Sequence, residues 1–272
     1  MNNKTQNNLS PVFIGLDLAW SARNPTGCAV IVENQLKALT WTLRGNDEIL
    51  RFIESHLVQD CPAIIGIDAP LRVPNEGGAR ACDLAVSRDW RRFEAGALPA
   101  NRQLLTQHHP EGKVRGEELV ALLVHRLHFT EAAPIPLQTQ DRIVCEIFPH
   151  PAHVSLFGLE KTLKYKARGR RSYEQRWSEM ERYQKCLRQL RKAKPSLKRT
   201  KKLLKKTDVR ALRGKALKGY EDALDAITCA YVVNYLWHHG PQYTCVYGNV
   251  ADGHIIVPLT DEMKYRMNKD TE

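Results

Sequence analysis

Two aspartates lie inside apolar runs, where an uncompensated charge is costly. Asp17 sits within Val12–Trp20 (VFIGLDLAW), and Asp68 ends Ala63–Asp68 (AIIGID). If their strands are neighbours, the two carboxylates meet at one edge of a sheet. Two like charges there repel and raise one pKa unless a cation intervenes. Ligation by carboxylate oxygens alone suits a hard ion such as Mg²⁺ or Mn²⁺ rather than zinc. The plainer reading of either residue alone is a strand-end Asp that caps a loop; the pair together favours the ion.

Asp222 and Asp225 stand three apart in YEDALDAITCAY and so project from one helical face. The rest of that face is Ala, Ile and Cys, which implies burial against another layer. Acids near a helix N-terminus also gain from the macrodipole without any ligand. The functional reading is a helix that crosses the sheet and delivers one or both carboxylates to the metal. Glu146, embedded in IVCEIF, is a third strand carboxylate. His150, four residues on, is placed to orient water or phosphate, or else lies in a surface loop. His153, His108, His109, His238 and His239 have no ligand partner visible in the sequence and read as ordinary polar residues. The cysteines at 28, 61, 82, 145, 186, 229 and 245 show no zinc spacing. Their odd number argues against a complete disulfide framework, and most read as small core residues.

The acids need elements to hold them. Val12–Trp20 has the length of a strand, the turn Asn24-Pro25-Thr26-Gly27 follows, and Cys28–Val32 and Leu36–Leu43 read as two more strands. Asn46 is placed to cap a helix whose apolar face carries Ile49, Leu50, Ile53 and Leu57. Ala63–Asp68 is then a fourth, buried strand. A three-stranded meander, a helix and a strand returned parallel to the first by a right-handed crossover is the opening order of the RNase H fold. Residues 71 to 112 are irregular, with a helix expected near Ala81–Phe93. Gly116–Phe129 is amphipathic through Leu119, Leu122, Leu123 and Leu127. Arg142–Phe148 is a fifth strand, Ser172–Leu190 a long basic helix and Tyr220–His238 a mostly apolar one. Thr244–Tyr247 and His254–Pro258 flank Asp252-Gly253 as a closing hairpin.

The expected fold is therefore α/β and RNase H-like: a central mixed five-stranded sheet flanked by helices, with a basic helical insertion at 161–218 and a C-terminal hairpin. One domain spans 11–260, after a disordered N-terminus at 1–10 and before a C-terminal tail at 261–272. No apolar run approaches the roughly 18–20 residues that span a bilayer. The Asn-rich start has no apolar signal-peptide core, so a cytoplasmic protein without membrane contact is expected.

Charge is unevenly distributed. Residues 161–218 hold 23 Lys and Arg against 4 Asp and Glu, a net of +19, whereas the rest of the chain nets −8. Such an asymmetry most often serves nucleic acid, because phosphates neutralised by the protein release condensed counterions. Lys164, Lys166, Arg170, Arg171, Lys201, Lys202, Lys205 and Lys206 are the candidate contacts. The bland alternative is a solvated charge run.

The set GLDLAW, IGIDAPL, EIFPHP, LKYK with its following Arg-rich helix, and DALDAITCAY resembles domain-of-unknown-function family 429, regarded as RNase H-like nucleases. The resemblance covers roughly residues 12 to 260. It implies that Asp17, Asp68, Asp222 and Asp225 match the carboxylates of RNase H-like and Holliday-junction-resolvase-like enzymes, and that Glu146 and the Arg80–Asp83 stretch match further family motifs. The Lys-dense run at 191–206 is longer than the family leads one to expect and reads as a nucleic-acid arm.

The leading expectation is a metal-dependent nuclease acting on DNA or RNA. Asp17 would bridge two ions roughly 4 Å apart, with Asp68 and a helix acid completing the shells. The rival is a non-catalytic nucleic-acid-binding or scaffold protein on the same fold. An actin- or sugar-kinase-like phosphotransferase ranks lower, because GLDLAW lacks a Gly/Thr/Ser-rich phosphate loop.

Overall fold

The computed structural model describes residues 10–269 apart from His108, Pro110, Gly169 and Lys205, and apart from the side chains of Lys202 and Leu203. The apolar runs form the sheet that the sequence implies. Val12–Asp17 (β1), Thr26–Val32 (β2) and Gln35–Leu43 (β3) make an antiparallel meander. Asn46–Glu54 (α1) crosses to Ala63–Asp68 (β4), which pairs parallel to β1. Ile49, Leu50 and Ile53 of α1 are buried, as their spacing requires. Its N-cap is Gly45 rather than Asn46, whose side-chain oxygen instead accepts from the Arg115 guanidinium.

Ala81–Trp90 (α2), Arg102–Leu105 (α3) and Arg115–Leu127 (α4) follow, then the short strand Thr130–Glu131 (β5) and Arg142–Glu146 (β6). The sheet order is β3-β2-β1-β4-β6-β5, with the last three strands parallel. It therefore has six strands, not the expected five. A strand of two residues has no periodicity to reveal it; β5 exists because β6 offers it an edge.

Alternation along the strands gives the sheet two apolar faces. Val12, Ile14, Leu16, Ile65 and Ile67 pack with α1 and α4. Phe13, Ala29, Ile64 and Cys145 pack on the other face. That second layer contains Pro149–Phe157 (α5), Tyr173–Gln189 (α6) and Gly214–His239 (α8). Thr244–Asn249 (β7) and Gly253–Pro258 (β8) form the anticipated hairpin. It shares a small core with α2 and with Asp261–Asn268 (α9), which buries Met263. Among the described residues no helix is long and apolar enough to cross a membrane.

The basic segment is not a detachable arm. Met180, Tyr183 and Leu187 of α6 are buried against α8, and Leu190, Leu197 and Leu204 are buried beyond it, the last in Thr200–Leu204 (α7). Lys198 exchanges backbone hydrogen bonds with Asn34 and Leu36 at the start of β3. The leucines scattered among the lysines are what anchor this stretch, so its charges lie on the outside of a packed layer.

α8 meets the sheet backbone to backbone. A Cβ on Gly15 would stand 2.0 Å from the Ala226 carbonyl oxygen, and one on Gly27 would stand 2.2 Å from the Asp222 carbonyl oxygen. Gly15→Ala is therefore expected to cost roughly 1–3 kcal/mol or more in urea unfolding, through overpacking against an unyielding helix backbone. Gly77→Ala, whose Cβ would meet nothing closer than 3.5 Å, serves as the near-neutral control.

Candidate metal centre

The parallel pairing of β1 and β4 sets Asp17 directly beside Asp68. Both follow the phase of Phe13 and Ile64, so both lie on the α8 face. The close approach of α8 brings in Asp225, whose side chain is fully buried. One oxygen from each of Asp17, Asp68 and Asp225 lies within 4.8 Å of the other two. Asp17 and Asp68 retain some solvent access, so the cluster opens at one end.

Two of these oxygens are buried without a hydrogen-bond donor among the described residues: Oδ2 of Asp17 and Oδ2 of Asp225. Buried polar atoms ordinarily find partners. An all-carboxylate set with the Asp17 oxygen left unpartnered fits a hard divalent cation such as Mg²⁺ or Mn²⁺. The centre already holds one cation of its own. Lys166 Nζ stands 3.0 Å from Asp225 Oδ2, an ion pair off the hydrogen-bonding direction. Lys166 was expected on a nucleic-acid surface; its position after a buried Tyr165 directs it inward instead.

Asp225 Oδ1 accepts from the Tyr165 hydroxyl at 2.6 Å and the Tyr183 hydroxyl at 3.0 Å. Asp222 belongs to the edge of the cluster. It hydrogen-bonds to Asp17 and accepts from Lys218, which also pairs with Glu221 at 3.2 Å. Two carboxyls in one hydrogen bond share a proton. Burial, followed by the charge of Asp17, pushes the Asp222 pKa up to about 8, which makes Asp222 its holder. Burial also raises Asp17, and raises Asp68 well above the usual carboxylate range, with Lys166 opposing both.

Asp225 behaves differently. Burial would raise it, but Lys166, then His153 and His150, and the Tyr165 hydroxyl outweigh that effect and hold it at about 2. Burial depresses His153 to about 3 and His150 well below its ordinary value, so both are neutral near pH 7.

His150, the expected accessory group, is partly buried rather than in a surface loop. It bonds to Thr162 Oγ1 at 3.0 Å and stacks on Tyr165 with ring centroids 6.0 Å apart. It thus supports the centre from behind. His153, which the sequence left as an ordinary polar residue, is fully buried with Nε2 4.0 Å from Asp225 Oδ1. Tyr165 lies in the LKYK motif, whereas His153, Tyr183 and Lys218 carry none. A further sequence signal is that His150 and His153 share one helical face.

Glu146 does not join the cluster. Its register partner is Ile67, one residue out of phase with Asp68, so it faces the opposite side of the sheet. There Arg80 grips it with contacts of 2.8 and 2.6 Å, and the Leu71 N–H adds a third at 2.9 Å. Asp83 pairs with the same guanidinium at 2.8 Å and accepts from the Ala100 N–H. This explains Arg80 and Asp83 as well: they form a closed, buried ionic lock. Burial still raises the Glu146 carboxyl, to about 7.

The basic candidates divide. Arg170, Lys201 and Lys206 are exposed. Lys164 pairs with Glu94, and the Arg171 guanidinium is bound to the Lys166 carbonyl at 3.0 Å. Lys205 and the side chain of Lys202 lie outside the described residues.

A family model described as a protein of unknown function, DUF429, matches residues 15–251. The chain belongs to the DUF429 family. The matched span contains all three cluster aspartates, Lys166, and the Arg80–Asp83–Glu146 lock. No curated protein and no solved structure matches the chain significantly.

Two outcomes follow from these environments. Glu146→Ala leaves Arg80 buried with half its partners, and is expected to lower stability by about 3–5 kcal/mol in denaturant unfolding. Asp17→Asn relieves like-charge crowding and is expected to leave metal-free stability unchanged or higher. His254 reports on pH. It is fully buried, and its Nε2 accepts the Glu146 N–H at 3.1 Å, so it is neutral in the fold. Burial holds its pKa at about 4. Between about pH 6.5 and 4 the unfolded chain takes up a proton that the native His254 refuses, so stability falls as pH drops through this window. The loss attributable to His254 is at most about 3 kcal/mol, and His254→Asn should flatten the pH–stability curve there by that amount.

Proposed function

We propose that this DUF429 protein is a divalent-metal-dependent nuclease with an RNase H-like fold, acting on the phosphodiester backbone of DNA or RNA. One observation carries the reading: carboxylates from β1, β4 and α8 converge within 4.8 Å, with a buried Asp17 oxygen left without a donor. The strand order, with a meander followed by a strand parallel to the first, agrees with that fold.

Asp17, Asp68 and Asp225 would hold Mg²⁺ or Mn²⁺. A divalent ion bound there supplies an activated water and Lewis-acid stabilisation of phosphoryl oxygens. The chain's own groups do the rest. Tyr165 and Tyr183 fix one Asp225 oxygen, and the Lys166 ammonium stands 3.0 Å from the other. Asp222 hydrogen-bonds to Asp17 at the edge of the centre, where burial and the Asp17 charge raise its pKa. The exposed cations Arg170, Lys201 and Lys206 would engage phosphates without reading sequence. The free thiols suit a reducing, cytoplasmic setting.

The test combines cleavage with metal-induced stabilisation. Single-stranded, duplex, hybrid and branched substrates are incubated with wild type and Asp17→Asn in Mg²⁺ or Mn²⁺. Wild type is expected to cleave at least one of them. It should also gain about 2.7 kcal/mol of stability at metal concentrations a hundredfold above Kd. Asp17→Asn should lose both effects while staying folded. A wild type that neither cleaves nor gains stability with divalent metal ends the nuclease reading and leaves the non-catalytic scaffold.

A further inference from the structure

We infer that Lys166 takes the place of a second divalent cation, so that the carboxylate centre is built for one ion and one ammonium rather than for two ions. This rests on the metal-dependent reading above and narrows it.

Position comes first. The Lys166 ammonium is 3.0 Å from Asp225 Oδ2, the cluster oxygen that neither tyrosine hydroxyl reaches, and is largely buried. Its charge reaches Asp68 and Asp17 as well as Asp225. In a two-ion carboxylate centre the metals sit about 3.5–4 Å apart, bridged by a shared carboxylate. An ammonium lodged among the same three carboxylates leaves no room for a second ion without displacing it.

Anchoring is the second argument. Lys166 is not a surface side chain that has folded in by chance. The preceding Tyr165 is tied at both ends, its hydroxyl to Asp225 and its carbonyl to the Arg176 guanidinium at 3.1 Å. The Lys166 carbonyl accepts from the Arg168 N–H at 2.8 Å and from the Arg171 guanidinium. The backbone that aims the lysine is therefore held from both sides.

Charge is the third. The connected acids are Asp17, Asp68, Glu221, Asp222 and Asp225; the cations paired with them are Lys166, Lys218 and Arg176. Even with every one of these acids ionised, they exceed the cations by only two charges, which one divalent ion neutralises. A second ion beside a retained Lys166 would leave the centre positive in a site of low polarity. Glu146 does not enter this balance, because Arg80 already neutralises it on the other face.

Mn²⁺ titration of the full-length protein decides the matter without reference to activity. Calorimetry gives the stoichiometry, and electron paramagnetic resonance separates an isolated Mn²⁺ from an exchange-coupled pair. Wild type is expected to bind one Mn²⁺ per chain with the hyperfine-split signal of an isolated ion. Lys166→Met, which keeps the length of the side chain without its charge, is expected to bind two and to show exchange coupling. Lys166→Arg should stay at one. A wild type that binds two coupled ions overturns the inference and leaves the nuclease reading intact. A wild type that binds none overturns the nuclease reading itself. If Lys166→Met binds one ion more tightly but never a second, the lysine merely competes for the single metal position and the inference fails. Should Lys166→Met not fold, the wild-type stoichiometry and spectrum still decide it.

Discussion

The carboxylate centre depends on the backbone contact between α8 and the sheet. Gly15 and Gly27 lie on adjacent strands and admit the helix at distances that any Cβ would block. A helix held off by ordinary side chains would sit further out, and Asp225 would not reach Asp17 and Asp68. The same approach accounts for the character of α8. Most of its residues are buried around the whole circumference, because the sheet covers one side and α5 and α6 cover the other. A helix apolar all round is the expected result of such a position.

The sheet separates two ionic systems of opposite kind. On the α1/α4 side, the oxygens of Glu146 and Asp83 are all matched by donors from Arg80, Leu71 and Ala100. Nothing is left over for a ligand. On the α8 side, acids outnumber cations and three buried oxygens, on Asp17, Glu221 and Asp225, have no hydrogen-bond donor among the described residues. A closed network adds rigidity, and an open one leaves capacity to bind. That difference, more than the presence of acids in strands, separates the structural carboxylates from the candidate ligands.

The basic region joins these parts rather than hanging from them. Its apolar residues, among them Trp177, Met180, Tyr183, Leu197 and Leu204, form the outer wall behind α8. Tyr165 and Lys166, near its start, enter the centre itself. One segment therefore supplies both the wall that holds the aspartates in place and an exposed cationic surface. A charge count over the segment cannot separate these roles, because the leucines and tyrosines decide which cations face out.

The sequence by itself determined five of the six sheet strands and the order of the first four, since buried strands need continuous apolar runs and a crossover helix shows a period of 3.6. It thereby determined that Asp17 and Asp68 would be neighbours, because the parallel return of β4 beside β1 follows from that order. It also marked α8 as buried and acidic near its start. The tertiary structure decided everything that depends on phase and approach. Whether Glu146 faced the aspartates was a matter of one residue of register between β4 and β6, which no local pattern encodes. Whether Asp222 or Asp225 lay deeper in the cluster depended on where the glycines let α8 settle. Lys166 lies in the LKYK motif but reads in the sequence as a nucleic-acid contact; only the packing of Tyr165 turns it inward. Short-range periodicity specifies elements, whereas the partners of a buried charge are chosen by the chain segments that close over it.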